Sequence, residues 1–511
     1  MHLLERNDPS LDGVILLNDH WMEVASHAIG NNTCLKRLVV DLDFRAATRT
    51  RKAHRRLADL CQELARNRSI EEFKLSINRY PDVNIYQLLA PLFEFNCNLR
   101  SIDVSETHPS EQAFSSLLLA LSKCKNKLEH LSITWNSLTN AESAGFFSSL
   151  SGMCNLLDLR YCEKTNGIGK SECIALALIL KKSDFKLQSL QLQLGNNCDD
   201  ECISFLGVGL MNSTSLRSLC VTGNSSVTET GWELFLTALF KSTRSILKLQ
   251  SLRIEGTDIG DEVVAFLGSS LANNKTLKLL DLNCITSISV EGWNEFAARL
   301  RNSALQELIL CNCMLNDYSA AAIVWAMRAN TSLKRLNMSE NPSIYPAGLA
   351  MIFELLGEHK PALEELHLRG FHRLNRLTVE GWSTLSHAIC DKSSIDATYS
   401  SNHSFHTLRG SVRPPRDVML HLRRNKEEDK AEVARKKILK YHFRGGKKDI
   451  QVFARMPENH MPFAIAWIGR NKLGYSVMFD FVSSFPSLFD IRHGPAARRS
   501  RRVKRKLDAR T

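Results

Sequence analysis

Apolar residues recur along this chain as Leu-x-x-Leu-x-Leu, with conservative replacements, beginning at Leu35, Ile70, Leu99, Leu128, Cys154, Leu187, Leu216, Leu249, Leu277, Leu305, Leu333 and Leu363, with a degenerate copy at Ile395. Within each copy apolar and polar positions alternate, the period of a half-buried strand. Between copies the apolar period lengthens to that of a helix laying one face on the sheet, as in Val264, Leu267 and Leu271. Successive copies start 26–35 residues apart. The expected fold is α/β: one parallel sheet of about 13 strands with helices on its outer side, plus a small C-terminal cap.

The pattern and its spacing resemble the long, helix-containing ribonuclease-inhibitor type of leucine-rich repeat, over roughly residues 14–408. That resemblance implies a horseshoe solenoid and, at the ninth position of each repeat, an Asn, Cys or Thr whose side chain bonds backbone where the chain leaves the strand. Asn78, Thr107, Asn136, Cys162, Asn224, Thr257, Cys313 and Asn341 fill that slot, while Gly195, Ile285 and Phe371 depart from it. Three helices share a further pattern, Thr228-x-x-Gly231-Trp232, Ser289-x-x-Gly292-Trp293 and Thr378-x-x-Gly381-Trp382. It reads as an N-cap hydroxyl, a glycine and a core anchor.

The expected boundaries are 1–34 for an N-terminal cap and first helix, 35–408 for the repeats, 409–430 for a linker marked by Arg413-Pro414-Pro415-Arg416, 431–495 for a capping module and 496–511 for a basic tail. In the module, Ala431, Ala434, Ile438 and Tyr441 form an apolar stripe, and Met461–Ile468 and Val477–Phe489 are rich in apolar residues. An open solenoid end exposes core, hence the reading as a cap.

Charge changes the picture in one place. The chain carries a net +12, but its basic residues crowd the C-terminal fifth and leave the repeat region mildly acidic. The tail holds Arg498, Arg499, Arg501, Arg502, Lys504, Arg505 and Lys506, which resembles the nuclear-import signals read by importin-α. Read without that resemblance, it is a solubilising tail or a salt-sensitive contact to nucleic acid. The longest apolar run, Ala320 to Met327, is far below the roughly 20 residues of a membrane helix. The polar start MHLLERNDPS lacks a secretory core, so an intracellular protein is expected, and the basic tail makes the expectation nuclear or nucleocytoplasmic. The 14 cysteines are scattered without a CxxC pair and read as reduced residues of a reducing compartment.

Side chains at the third, fifth and seventh repeat positions should point to the concave face. The fifth-position column reads Val39, Lys74, Asp103, Ser132, Asp158, Gln191, Cys220, Arg253, Asp281, Ile309, Asn337, His367 and Tyr399. Its mixed sign lacks the basic stripe with interleaved aromatics of a nucleic-acid groove, so a protein partner is expected there. From this face the partner-binding candidates are Asp103, His130, Ser132, Trp135, Asp158, Gln191, Arg253, Asp281, Asn337, His367, Arg369 and Tyr399, with Phe371 and His372 as further aromatic anchors. Asp103, Ser132, Asp158 and His130 invite a Ser/His/Asp reading, but an open sheet offers no water-excluding pocket, and a solvated polar surface is the expectation. Cys311-x-Cys313 is the nearest approach to metal-ligand spacing and has no further pair near it; Gly445-Gly446 before Lys447-Lys448 lacks the spacing of a phosphate loop. No cofactor and no enzymatic activity are expected.

The function class implied is an interaction scaffold. Rivals are a regulatory array like the activators of the Ran GTPase, whose acidic C-terminal region contrasts with this basic one, and the sensing half of nucleotide-binding immune receptors, whose nucleotide-binding domain has no counterpart ahead of these repeats. Nucleic-acid association through residues 409–511 is the third.

Overall fold

The computed structural model describes residues 2–442 except 17–18, 44–49, 79–97, 108–126, 136–139, 164–166, 183, 225, 242–246, 359–361, 371–378 and 411–412. Among the described residues one 14-stranded sheet runs in strict chain order. Its strands are β1 Gly13–Leu16, β2 Arg37–Asp43, β3 Glu72–Asn78, β4 Ser101–Thr107, β5 His130–Trp135, β6 Asp158–Glu163, β7 Ser189–Gln193, β8 Ser218–Asn224, β9 Ser251–Thr257, β10 Leu279–Asp281, β11 Glu307–Ile309, β12 Arg335–Asn337, β13 Glu365–Leu368 and β14 Thr407–Gly410. The described helices are α1 His2–Glu5, α2 Asp19–Asn31, α3 Thr50–Arg66, α4 Asn140–Ser149, α5 Lys170–Leu180, α6 Asp200–Leu210, α7 Glu229–Leu236, α8 Asp261–Asn273, α9 Val290–Leu300, α10 Asp317–Ala326, α11 Pro346–Glu358, α12 Val379–Ile389, α13 Ile395–Tyr399, α14 Arg416–Arg424 and α15 Lys430–His442. The chain divides into two compact units, one of Met1–Gly348, Pro361–Leu374 and Arg409–Ser411, the other of Leu349–Lys360, Asn375–Leu408 and Val412–Thr511.

In the first unit the repeat leucines explain the layering. Fourth- and sixth-position residues such as Leu38 and Val40, Leu190 and Leu192, and Leu308 and Leu310 are fully buried on the helix side of the sheet. The helices return apolar faces to them, and Trp232, Phe235, Trp293 and Phe296 are sealed from solvent. Each Trp meets its Phe edge-on, at ring separations of 5.8 and 5.9 Å. Trp232 and Trp293 are core anchors, as their spacing implies, whereas the third tryptophan of the pattern, Trp382 in the second unit, is half-buried and stacks on Phe353 at 6.4 Å.

Three strand assignments differ from the sequence reading. Leu11-x-x-Val14-x-Leu16 makes an additional first strand, β1, paired in parallel with β2 inside the span expected as an N-terminal cap. The degenerate copy at Ile395 is helix α13, because Ser394 caps it by accepting from the Ala397 N–H at 3.0 Å. The next strand, β14, follows Phe405 instead. The sixth strand is shifted by two residues: Ser132 pairs with Arg160, and His130 with Asp158. That repeat therefore starts at Leu156, not Cys154, and Cys162 leaves the ninth-position slot.

Successive repeats are tied at three points. Asn341 acts as the ninth-position reading requires: its Oδ1 accepts from Cys313 N and Leu315 N at 2.9 and 3.0 Å, and its Nδ2 donates to Leu310 O at 2.8 Å. A second asparagine series, absent from the sequence reading, stands three residues before the repeat leucine. Asn330 Oδ1 accepts from Ser332 N and Leu333 N, while Nδ2 donates to Leu300 O at 2.6 Å in the preceding repeat. Asn67, Asn32 and Asn402 are built the same way, their Nδ2 donating to Ile29 O, Leu4 O and Leu356 O, and Asn274 repeats the acceptor half. The third tie explains the glycines of the helix pattern. Asp200 accepts from the Thr228 N–H and hydroxyl one repeat on, Asp261 does the same for Ser289, and Asp317 accepts from Tyr345 N. A Cβ at Gly231, Gly292 or Gly348 would collide with those carboxylates.

The span expected as linker begins with the end of β14, and in the second unit it carries helix α14. Pro414-Pro415 precedes that helix, a placement proline favours. The apolar stripe expected on α15 is displaced: Val433, Ala434, Lys437 and His442 are buried, and Ala431 is exposed. Lys437 Nζ donates to the carbonyl of Ile389 at 2.5 Å, at the end of α12, and lies 3.0 Å from His403 Nδ1. Burial draws its pKa down to about 7. His421, also buried and beside Lys437, is held near 3, first by burial and then by that lysine. The apolar segments 461–468 and 477–489 and the basic tail lie outside the described residues.

Candidate functional site

The strand geometry that buries the fourth and sixth repeat positions turns the third, fifth and seventh to the open face of the sheet. The corrected fifth-position row reads Lys74, Asp103, Ser132, Arg160, Gln191, Cys220, Arg253, Asp281, Ile309, Asn337 and His367 in unbroken register. Asp158 sits instead in the third-position row between His130 and Ser189. Ser132 and Asp158 thus do not face one another. Asp158 lies 3.9 Å from His130 Nδ1 and 3.4 Å from Arg160 Nε, a half-buried carboxylate between two more exposed basic side chains and not a nucleophile with its base.

Other candidates fall as follows. Asp103 is engaged by Lys74 Nζ at 2.9 Å. His367 meets Glu365 at 3.4 Å, and Arg369 is exposed beyond the end of β13. Gln191 and Asn337 hold their register on β7 and β12. Trp135 closes β5, with its side chain outside the described part. Tyr399 is on α13 in the second unit, not on the sheet, because its segment is helical. Phe371, His372 and residues 498–506 lie outside the described residues.

Charges alternate in sign between neighbouring strands, both at the second position, where the chain enters each strand, and at the third, on the open face. Lys36 pairs with Glu71 at 2.7 Å, Glu129 with Arg100 at 2.8 Å, and Lys334 with Glu364 at 2.8 Å. Arg37–Glu72 at 2.7 Å and Arg335–Glu307 at 2.8 Å repeat this one position on. Exposed pairs of this kind contribute less than about 1 kcal/mol each, so their effect is on which surfaces the face accepts more than on stability.

Between these charged ends the face changes character. On β7, β8 and β9 the third position is serine three times, Ser189, Ser218 and Ser251, in direct register. Arg160 and Arg253 bound this strip on β6 and β9, three strand spacings or roughly 14 Å apart. Beside Arg253 lies Asp281, almost fully buried, whose carboxyl is pushed up to about 6 first by burial and then by neighbouring Glu255. The third and fifth positions place both arginines and all three serines on the same side of the sheet.

The thiols are set by burial. Cys61, Cys220 and Cys313 are pushed up to about 12. Cys313 is enclosed with its Sγ toward the Leu282 carbonyl at 3.0 Å, whereas Cys284 is exposed. Among the described residues no group of three or more His, Cys, Asp or Glu could hold a metal ion. No described helix is long and apolar enough to cross a membrane.

The ordered parallel sheet, its buried leucine columns and its repeat-to-repeat asparagines define a leucine-rich-repeat solenoid. Comparison with known proteins agrees. The chain is 25% identical over 280 residues to mouse NACHT, LRR and PYD domains-containing protein 5, covering 53% of this chain and 23% of that protein. It is 27% identical over 312 residues to mouse NACHT, LRR and PYD domains-containing protein 9C, covering 59% of this chain and 29% of that one. The human protein 5 is 30% identical over 206 residues, 40% of this chain and 17% of its own length. The chain therefore spans less than a third of the curated relatives it matches. The crystal structure of the Rad7 and Elc1 complex in yeast aligns with TM-score 0.41 and 16% identity, over 70% of this chain and 80% of that one. No family model matches. The chain is a leucine-rich-repeat protein, similar in sequence to proteins that carry such repeats beside NACHT and PYD domains.

Proposed function

We propose that this protein is a non-enzymatic interaction scaffold that takes a protein partner on the open, concave-side face of its sheet. One observation carries the reading: the strip Ser189, Ser218 and Ser251, bounded by Arg160 and Arg253, between the ion pairs Arg37–Glu72 and Arg335–Glu307 that lie toward the two ends of the face. Small hydroxyl side chains let a partner backbone approach the sheet, and two flanking guanidiniums present forks for carboxylates. Asp103, His130, Ser132, Asp158, Gln191, Asn337, His367 and Arg369 border the same face and supply its polar rim, with Asp281 buried beside Arg253. The likeness to leucine-rich-repeat proteins supports an interaction role in general. The segment Arg498–Lys506 then acts as an importin-α-read import signal, which makes the protein nuclear or nucleocytoplasmic.

The test is proximity labelling in cells with the full chain, with R160E/R253E and with a tail variant in which residues 498–506 lose their basic side chains. The face reading expects R160E/R253E to lose the principal neighbours while location persists, and the tail variant to shift to the cytoplasm while keeping those neighbours. Unchanged neighbours in R160E/R253E would remove the face from consideration.

A further inference from the structure

A second surface lies on the opposite layer, away from the sheet face. Trp325, on the outer side of α10, is 42% exposed, although tryptophan on the inner side of these helices, as in Trp232 and Trp293, is sealed in the core. Two guanidiniums stand over its indole. Arg328, one turn further along the chain, has its Cζ 4.8 Å from the ring centroid, and Arg301, just after α9 in the preceding repeat, has its Cζ at 5.7 Å. Both distances are within cation–π range.

Both arginines are exposed, and neither is engaged by a described carboxylate. Their neighbour Arg299 behaves otherwise, since it is held by Glu295 at 2.7 Å and by Ser269 Oγ at 2.6 Å. Stacking on an aromatic ring fixes the plane of a guanidinium while leaving its N–H edge directed outward. An exposed tryptophan with two such arginines combines the side chains most enriched in binding hot spots, and the unneutralised pair sets the sign of what they accept.

We infer that Arg301, Trp325 and Arg328 form a docking site for a short acidic segment of a partner protein, its carboxylates on the two guanidiniums and its apolar or aliphatic portion on the indole. The charge complementarity is local and compact: two positive charges belonging to adjacent repeats. A long polyanion would require a continued basic track, and the next arginine on the α9 side, Arg299, is already paired with Glu295.

The experiment uses the full-length chain and a fluorescein-labelled peptide of alternating Glu and Leu, followed by anisotropy near physiological salt. The basic tail contributes equally in every variant, so differences between variants report the patch. W325A and R301Q/R328Q are expected to weaken peptide binding by about ten-fold, with R301K/R328K in between because it keeps charge and loses the planar stack. W325F is expected to retain most of the affinity. Because all three side chains are exposed, thermal unfolding of the variants should match the parent. Equal peptide binding by parent, W325A and R301Q/R328Q overturns the inference. A loss of single-stranded oligonucleotide binding in the same variants, with no change in peptide binding, assigns the patch to nucleic acid and also overturns it.

Discussion

The carboxylate of Asp261, in the first turn of α8, accepts hydrogen bonds from the backbone N–H and the hydroxyl of Ser289, at 2.7 and 2.5 Å, one full repeat further on. Ser289 in turn caps α9 by accepting from Gly292 N at 3.1 Å. A helix N-terminus is thus held from both directions, by its own cap and by an acid of its predecessor placed near the positive end of the helix dipole.

Gly292 is the residue that admits this acid. G292A is expected to destabilise the protein by about 1–3 kcal/mol, since its methyl would meet the Asp261 carboxylate. D261A alone should cost about 1 kcal/mol or more through its lost hydrogen bonds. The double variant D261A/G292A should be more stable than the sum of the two, and urea unfolding of the four proteins measures that coupling. Strict additivity would mean that the two residues act separately.

Asn330 is buried and serves donors and acceptors in two repeats at once. N330A is expected to cost roughly 2–4 kcal/mol, because it strands backbone groups of Leu300, Ser332 and Leu333 away from water. N330D keeps the acceptor and loses the donor, and should fall between N330A and the parent. Hydrogen exchange at Leu333 N–H is the local readout, with faster exchange expected in N330A.

How much of this was legible in the sequence depends on how many frames each segment allowed. Where leucines occupy the first, fourth and sixth positions without competition, as at Leu187 and Leu305, strand and register follow directly. At Cys154–Tyr161 two frames compete, and leucines at 157 and 159 favour the wrong one. The frame adopted puts Tyr161 at the sixth position, where its ring fills the core against Phe146 and Phe147 at 5.5 and 4.9 Å. A pattern restricted to aliphatic residues has no way to score that contact. Ile395 misled for a different reason: its apolar spacing suits a strand, but Ser394 is a helix cap. The asparagines preceding each repeat leucine were visible as residues and silent as a device, since their partners lie a whole repeat away.

Asp281 makes the open face sensitive to acid. Its folded-state pKa of about 6 lies above the ordinary 3.8. Ionising it therefore penalises the folded state, and stability should be greatest below about pH 4 with respect to this group, decline as pH rises toward 6, and then level off. D281N removes the titration. Relative to the parent it should be more stable at pH 7, by up to about 3 kcal/mol, and indistinguishable near pH 4. Chemical unfolding midpoints of both proteins across this range decide it, and a constant difference at all pH values would refute the assignment.

Thiol chemistry should follow exposure. Under native conditions a maleimide is expected to modify Cys284 readily and to spare Cys61, Cys220 and Cys313, whose buried thiols are held near 12. Peptide mapping after timed quenching identifies the modified positions. Early labelling of Cys313 would show that its repeat opens locally.

The ties between repeats have a bearing on how such a chain can change length. From Asp261 to Ser289, Cys313 to Asn341 and Asp317 to Tyr345 the span is the same, 28 residues. Each junction is addressed by an offset and not by a particular partner, so excising or duplicating one whole period in this region would hand every donor to an equivalent acceptor. Repeat number is thereby free to vary by recombination between like segments, and the open sheet face can lengthen or shorten without any junction having to be invented anew.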